Sequence, residues 1–239
     1  MKFLLTAINA KFIHSNPAIY SLRAGVGEKL QPYVELAEFT INESLESILE
    51  GIWKRQPKVI GFSCYIWNWK LIREILTELP KILPDTEIWL GGPEVTYDGP
   101  GLLREFPQVT GIMVGEGEVT FREVLEQYLR EAETAGQSEQ QPESDSTEHQ
   151  VADRRGTVAG KSMVERFGQI PGLCLASGYT APRDLTDLTT LPFLYEDMEP
   201  FTNRIIYYET SRGCPYRCSY CLSSIDKKVR LRDISVVKR

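Results

Sequence analysis

VIGFSCYIWNWKLIREILTELPKILPDTEIWLGGPEVT, residues 59–96, decides the fold. It opens on a short, near-continuous apolar run at 59–63, which gives way to Ser63 and Cys64. A stretch of helix length follows at 68–79, with Leu71, Ile72, Ile75, Leu76 and Leu79 on one stripe, and then a second apolar run at 87–90 ends on Gly91 and Gly92. Strand, amphipathic helix and strand in that order are the repeating unit of a parallel sheet covered by helices. The absence of apolar–polar alternation within the runs suits strands buried on both faces.

The same rhythm extends in both directions. Further strands are predicted at 2–8, 33–39 and 111–114, and helices at 18–30, 44–54 and 119–131. Ser44, followed by Leu45, Ile48, Leu49 and Ile52, marks a capped helix start with one apolar stripe. The fold class is therefore α/β, a Rossmann- or flavodoxin-like parallel sheet. Each strand ends in small or polar residues: Asn9 and Ala10, Ser63 and Cys64, Gly91 and Gly92, Gly115 and Gly117. In open parallel sheets ligands bind at the carboxyl ends of the strands, so these loops share one candidate rim.

At 239 residues the chain exceeds a usual single domain. We divide it into an α/β domain at 1–132, a polar linker at 133–162, a connector with a short hairpin at 163–203, and a last segment at 204–239. The linker is rich in Glu, Gln, Ser, Asp and Gly, and such a composition buries too little apolar surface to offset its ordering entropy. The net charge of −6 has no basic block to set against it, which gives no support for nucleic-acid binding. Asn9, Lys11 and His14 interrupt the first apolar run too soon for a signal peptide, and no run is long enough to cross a bilayer. A cytoplasmic protein without membrane contact is expected.

Five cysteines are present: Cys64, Cys174, Cys214, Cys218 and Cys221. An odd number with three inside eight residues does not resemble a disulfide framework; in a reducing compartment such a cluster more often holds metal. Three thiolates at Cys-x3-Cys-x2-Cys spacing suit an iron–sulfur centre with one iron left open. A structural zinc site would need a fourth ligand from Cys174, His14 or His149, and an electron-carrier ferredoxin would need a fourth cysteine. Three separate buried cysteines are the purely structural alternative.

GCPYRCSYC, residues 213–221, just after the apolar stretch RIIYYET at 204–210, closely resembles the radical S-adenosylmethionine superfamily. The resemblance implies that RIIYYET is the first strand of a TIM-type barrel. It also implies that Cys214, Cys218 and Cys221 hold a 4Fe-4S cluster, and that S-adenosylmethionine binds the fourth iron, with Tyr220 near its adenine. It further implies an enzyme that cleaves S-adenosylmethionine to a 5′-deoxyadenosyl radical, acts on a small-molecule substrate and draws on a reductant such as flavodoxin or ferredoxin. No other catalytic residue is indicated.

The front domain resembles the cobalamin-binding module found ahead of the barrel in one class of these enzymes. The matching stretches are GFSCYIWN at 61–68, LGGPEVT at 90–96 and GEGE at 115–118. The resemblance makes Asn9, His14, Ser63, Gly91, Gly92, Gly115 and Gly117 candidate cobalamin contacts, the small residues admitting a bulky corrin. In the Asp-x-His-x-x-Gly signature the His ligates cobalt. Here Phe12 stands in place of the Asp and Pro17 in place of the Gly, so His14 is either a ligand without its usual orienting partner or an ordinary hydrogen-bonded loop residue. Cys64, Trp67, Trp69 and the GEGE carboxylates are open to the same two readings, ligand contact or local packing and helix start. LSSIDKKVRLRD at 222–233 most resembles a subfamily of these enzymes with an extra C-terminal domain. Eighteen residues follow Cys221, whereas a barrel takes on the order of 200 or more, so the chain is expected to be the N-terminal portion of a longer radical enzyme. A non-catalytic cobalamin-binding module and a zinc-stabilised interaction protein are the alternatives.

Overall fold

The computed structural model describes residues 2–138, 162–195, 197–216, 218–226, 228–233 and 235. Five strands, β1 (Phe3–Asn9), β2 (Val34–Thr40), β3 (Val59–Ser63), β4 (Glu87–Gly91) and β5 (Val109–Met113), run parallel in the order β2-β1-β3-β4-β5. This is the flavodoxin-like order, in which the winding reverses between β1 and β3. The helices are α1 (Pro17–Gly25), α2 (Leu45–Trp53), α3 (Trp69–Ile82), α4 (Gly99–Glu105), α5 (Glu118–Ser138) and α6 (Met163–Phe167).

Period-two placement of side chains splits the core into a layer on each face of the sheet. From β1, Leu4 and Ile8 join Ile60 and Phe62 of β3 beneath α2 and α3, where Ile48, Ile52, Ile72, Ile75 and Leu79 are fully enclosed. Phe3, Leu5 and Ala7 point the other way, to Ile19 of α1 and Phe121, Val124 and Leu125 of α5. Helix starts follow local chemistry. Ser44 accepts a hydrogen bond from the Ser47 amide at 3.2 Å, and Asn16 caps α1 ahead of Pro17. Asn68 sits at the start of α3, but its amide group donates to the carbonyls of Ile8 and Ser63, both at 3.0 Å, and so ties the ends of β1 and β3 together.

Helix α1 ends at Gly25, short of the predicted residue 30, and four further elements differ from the sequence reading. Helix α4 is additional; its Gly-Pro-Gly opening reads as a turn, yet Gly99 lets the helix approach β6 (Leu173–Leu175), since a Cβ there would lie 2.7 Å from the Cys174 sulfur. Helix α5 continues to Ser138, into the first part of the predicted linker, and the remainder of that linker at 139–161 lies outside the described residues. The hairpin of β6 and β7 (Gly178–Tyr179) forms as expected, but it joins the main sheet: β6 pairs antiparallel with β5, covering what would otherwise be an open edge. The strand predicted over 204–210 is not formed; the stretch makes only one bridge, from Ile205 to His14. A two-residue ribbon follows, β8 (Ser211–Arg212) antiparallel to β9 (Arg230–Leu231).

Candidate functional site

A cavity of about 630 Å³ opens at the carboxyl ends of β3, β4 and β5. Ser63, Gly91, Gly92, Gly115 and Gly117 line it, so five of the seven residues assigned from the sequence as cobalamin contacts share one space. Leu5, Ile19, Leu22, Trp89 and Met113 give it an apolar floor. The opposite wall comes from far along the chain, with Leu194, Tyr207, Tyr208, Glu209, Arg212 and Arg232. Concave and mostly apolar with a few polar groups, the space has the character and size of a small-molecule site.

Two observations show room and polarity for a ligand. Gly115 has φ +78, and a Cβ added there meets nothing within 4 Å, while one at Gly91 meets nothing nearer than Met113 at 3.8 Å. The Tyr208 hydroxyl, in the wall, is buried without a hydrogen-bond partner among the described residues. These features fit a bulky ligand carrying polar edge groups.

Asn9 and His14 stand apart from the cavity lining. Asn9 donates to the His14 carbonyl at 3.0 Å and to Glu38 at 2.9 Å. His14 stacks on Tyr207 with centroids 5.7 Å apart, and its Nδ1 is hydrogen-bonded to the Tyr207 hydroxyl. His14 thus joins the β1 loop to the 204–210 stretch, while Asn9 ties that loop to Glu38 of β2. Cys64 is fully buried and outside the lining, and burial pushes its thiol well above the ordinary range. Trp67 stacks on Tyr65 at 4.4 Å, and Trp69 packs edge-on against Phe106.

Cys214, Cys218 and Cys221 are partly exposed on the loop between β8 and β9. The Cys221 amide donates to the Cys218 carbonyl at 3.2 Å, and the Cys214 amide to the Asp226 carbonyl at 3.3 Å. Among the described residues no three His, Cys, Asp or Glu side chains are gathered closely enough to hold a metal ion, so the three sulfurs do not converge on one point in this structure. Three thiolates remain a donor set suited to an iron–sulfur centre. Tyr220 is 89% exposed beside them, and His149 lies outside the described residues. The feature that sequence reasoning missed is the second wall of the cavity, which no local motif signals.

The model of the B12 binding domain matches residues 4–125, just over half of the chain. The chain belongs to the B12 binding domain family. Among curated proteins, this member of the B12 binding domain family is 28% identical over 183 residues to the cobalamin-dependent radical SAM methyltransferase TokK of Streptomyces tokunonensis, covering 70% of the chain and 22% of that protein. It is 29% identical over 188 residues to a 2-(S-pantetheinyl)-carbapenam-3-carboxylate methyltransferase of Streptantibioticus cattleyicolor, covering 75% and 24%. The chain therefore spans about a quarter of the length of these relatives. In fold it matches the cobalamin-dependent S-adenosylmethionine radical enzyme OxsB with a TM-score of 0.64 at 17% identity, over 98% of the chain and 30% of OxsB. The resemblance to radical enzymes carrying a cobalamin-binding domain, read from the sequence, agrees with all three comparisons. No helix among the described residues is long and apolar enough to cross a membrane.

Proposed function

We propose that the chain is the cobalamin-binding portion of a radical S-adenosylmethionine enzyme, with cobalamin seated in the cavity at the ends of β3 to β5 and a 4Fe-4S cluster on Cys214, Cys218 and Cys221. The observation that carries this reading is the wall of the cavity: the segment 207–212 that closes it runs directly into the cysteine loop. A cofactor in the cavity and a cluster on the loop would be neighbours by chain connection alone. When bound, these groups supply one-electron cleavage of S-adenosylmethionine and, through cobalt, methyl transfer. The chain's own residues have other tasks. Ser63, Gly91 and Gly115 admit the ring, Tyr208 offers an unused hydroxyl, and the apolar floor excludes water. The three thiolates ligate iron, and Tyr220 lies beside them for an adenine. A small-molecule substrate, a flavodoxin or ferredoxin reductant and a cytoplasmic setting belong to the same proposal.

Hydroxocobalamin titrated into the full chain is expected to give a saturable, single-site change in absorbance. Gly91→Leu fills the cavity from a position with space for its Cβ, and is expected to weaken binding at least tenfold while moving the thermal midpoint by no more than about 2 °C. No absorbance response from the unaltered chain would remove the cobalamin assignment. Anaerobic addition of iron and sulfide should load about four irons per chain, with loss on Cys218→Ala; uptake indifferent to that substitution would remove the cluster.

A further inference from the structure

The GEGE carboxylates neither sit free in the cavity nor act only as a helix start. Ribbon β8–β9 places Arg212 opposite Arg230 and so brackets residues 213–229, with all three cluster cysteines between its ends. Arg212 turns to Glu118 and Glu116, with its Nε on Glu209 at 2.7 Å, and Arg230 turns to Glu116, with Asp226 at 3.4 Å. Arg212 forks onto Glu118, Nη2 to Oε1 at 2.6 Å and Nη1 to Oε2 at 3.2 Å, and its Nη1 lies 3.5 Å from Glu116. Arg230 donates to both oxygens of Glu116, at 3.1 Å for Oε2. Glu116 is thus shared by two arginines that would otherwise repel each other across the ribbon.

The cluster of charges is enclosed and braced from outside. Side-chain exposure is 15% for Arg212, Arg230 and Glu116 and 5% for Glu118. Ser21 of α1 donates to Glu118 at 2.7 Å, the Thr186 amide donates to Glu116 at 2.7 Å, and Arg230 returns a bond to the Thr186 carbonyl at 2.7 Å. The loop itself closes tightly: Gly213 has φ +84, and a Cβ there would lie 2.4 Å from the Lys228 carbonyl oxygen. Glu116, Glu118 and Arg212 also line the cavity. The same side chains therefore form part of the wall of one site and the anchor of the other.

We propose that Glu116 and Glu118 are positioning residues that, with Arg212 and Arg230, latch the cysteine loop onto the rim of the cavity, so that ordering the thiolates and closing the cavity are one event. Only the iron and cobalamin arms of the test below rest on the function proposed above. Coupling of this kind is reciprocal: whatever fills the cavity steadies the loop, and a steadier loop favours filling.

Hydrogen exchange on the full chain without cofactors addresses the latch directly. In Glu118→Gln, amides across 211–233 are expected to exchange at least tenfold faster, with β1 to β5 unchanged; equal rates across 211–233 would overturn the proposal. Arg212→Lys keeps the charge but loses the fork, and should give an intermediate rate. If Glu118→Gln loosens the whole sheet, Arg212→Lys and Glu116→Gln decide the matter by the same contrast. Saturating hydroxocobalamin should slow exchange over 211–233 in the unaltered chain and not in Glu118→Gln, and a chelator should strip iron about tenfold faster from the variant; identical behaviour of the two proteins in both assays would refute the coupling. Should the unaltered chain take up neither cofactor, the cofactor assignment fails, while the contrast in exchange still decides the latch.

Discussion

Arg166 has a side chain only 1% exposed, and its charge is matched by two carboxylates. It forks onto Glu87 at 3.0 and 3.1 Å and reaches Glu131 at 2.9 Å, while Tyr128 donates to the same Glu87 at 2.6 Å and Trp89 donates to Tyr128 at 2.8 Å. Its guanidinium also lies 4.7 Å from the Phe167 ring. This pins α6, which follows the polar linker, to the start of β4 and to α5. Arg166→Ala leaves two carboxylates crowded without their cation, a change that costs about 3–5 kcal/mol where the pair is buried. Urea unfolding should therefore show a midpoint well below that of the unaltered chain; a midpoint within error of it would refute this account. Nothing local signals the network, because Arg166 and Glu87 are 79 residues apart. Ser63, Gly91 and Gly92 were legible by contrast, because small residues at the end of an apolar run announce themselves within a few positions.

Elements were legible where their own residues determine them. The five parallel strands fall within about two residues of the sequence reading, because an unbroken apolar run between amphipathic helices has few other solutions. RIIYYET misled because strand propensity needs a partner: Ile205 finds one bridge, and Tyr207 and Tyr208 are used as cavity wall instead. Helix α4 was hidden by Pro100 and its flanking glycines, which read as turn residues until the approach of β6 explains them. The junction of β3 and β4 makes the sharpest demand on sequence. Gly92 has φ +107, and a Cβ there would lie 2.5 Å from the Cys64 carbonyl oxygen and 3.0 Å from its amide nitrogen. Gly92→Ala is expected to cost about 1–3 kcal/mol through backbone strain, with displacement of the Cys64 turn. Gly91→Ala, with 3.8 Å of clearance, should change stability by less than about 1 kcal/mol. Thermal melts of the two variants side by side provide the check, and equal midpoints would contradict the assignment.

Over the whole molecule, three arginine–glutamate pairs tie the described part of the segment after residue 203 to the rim of the sheet, beside the Ile205–His14 bridge. Arg204 binds Glu38 at 2.6 Å, Arg212 binds Glu118 and Arg230 binds Glu116, whereas the sheet itself is held by apolar burial and its ladder. Burial pushes each of these carboxyls up, but the arginine hydrogen bonds and charges outweigh it, and all three lie below the ordinary glutamate value. For such a group the unfolded or detached form takes up the proton first. The stabilisation is complete above the unfolded pKa of about 4.3 and is lost as pH falls through the lower folded values. Acid is therefore expected to release 204–233 before it melts the sheet. Hydrogen exchange corrected for intrinsic rates should show this segment losing protection as pH falls below the ordinary glutamate range while β1, β3 and β4 keep theirs. Glu38→Gln should flatten the acid limb for the residues around Arg204, because the neutral amide is weakened already at neutral pH and has no proton to gain. Loss of protection at one common pH across segment and sheet would show instead that the two are a single cooperative unit, with the arginine joints contributing little to holding the cavity wall in place.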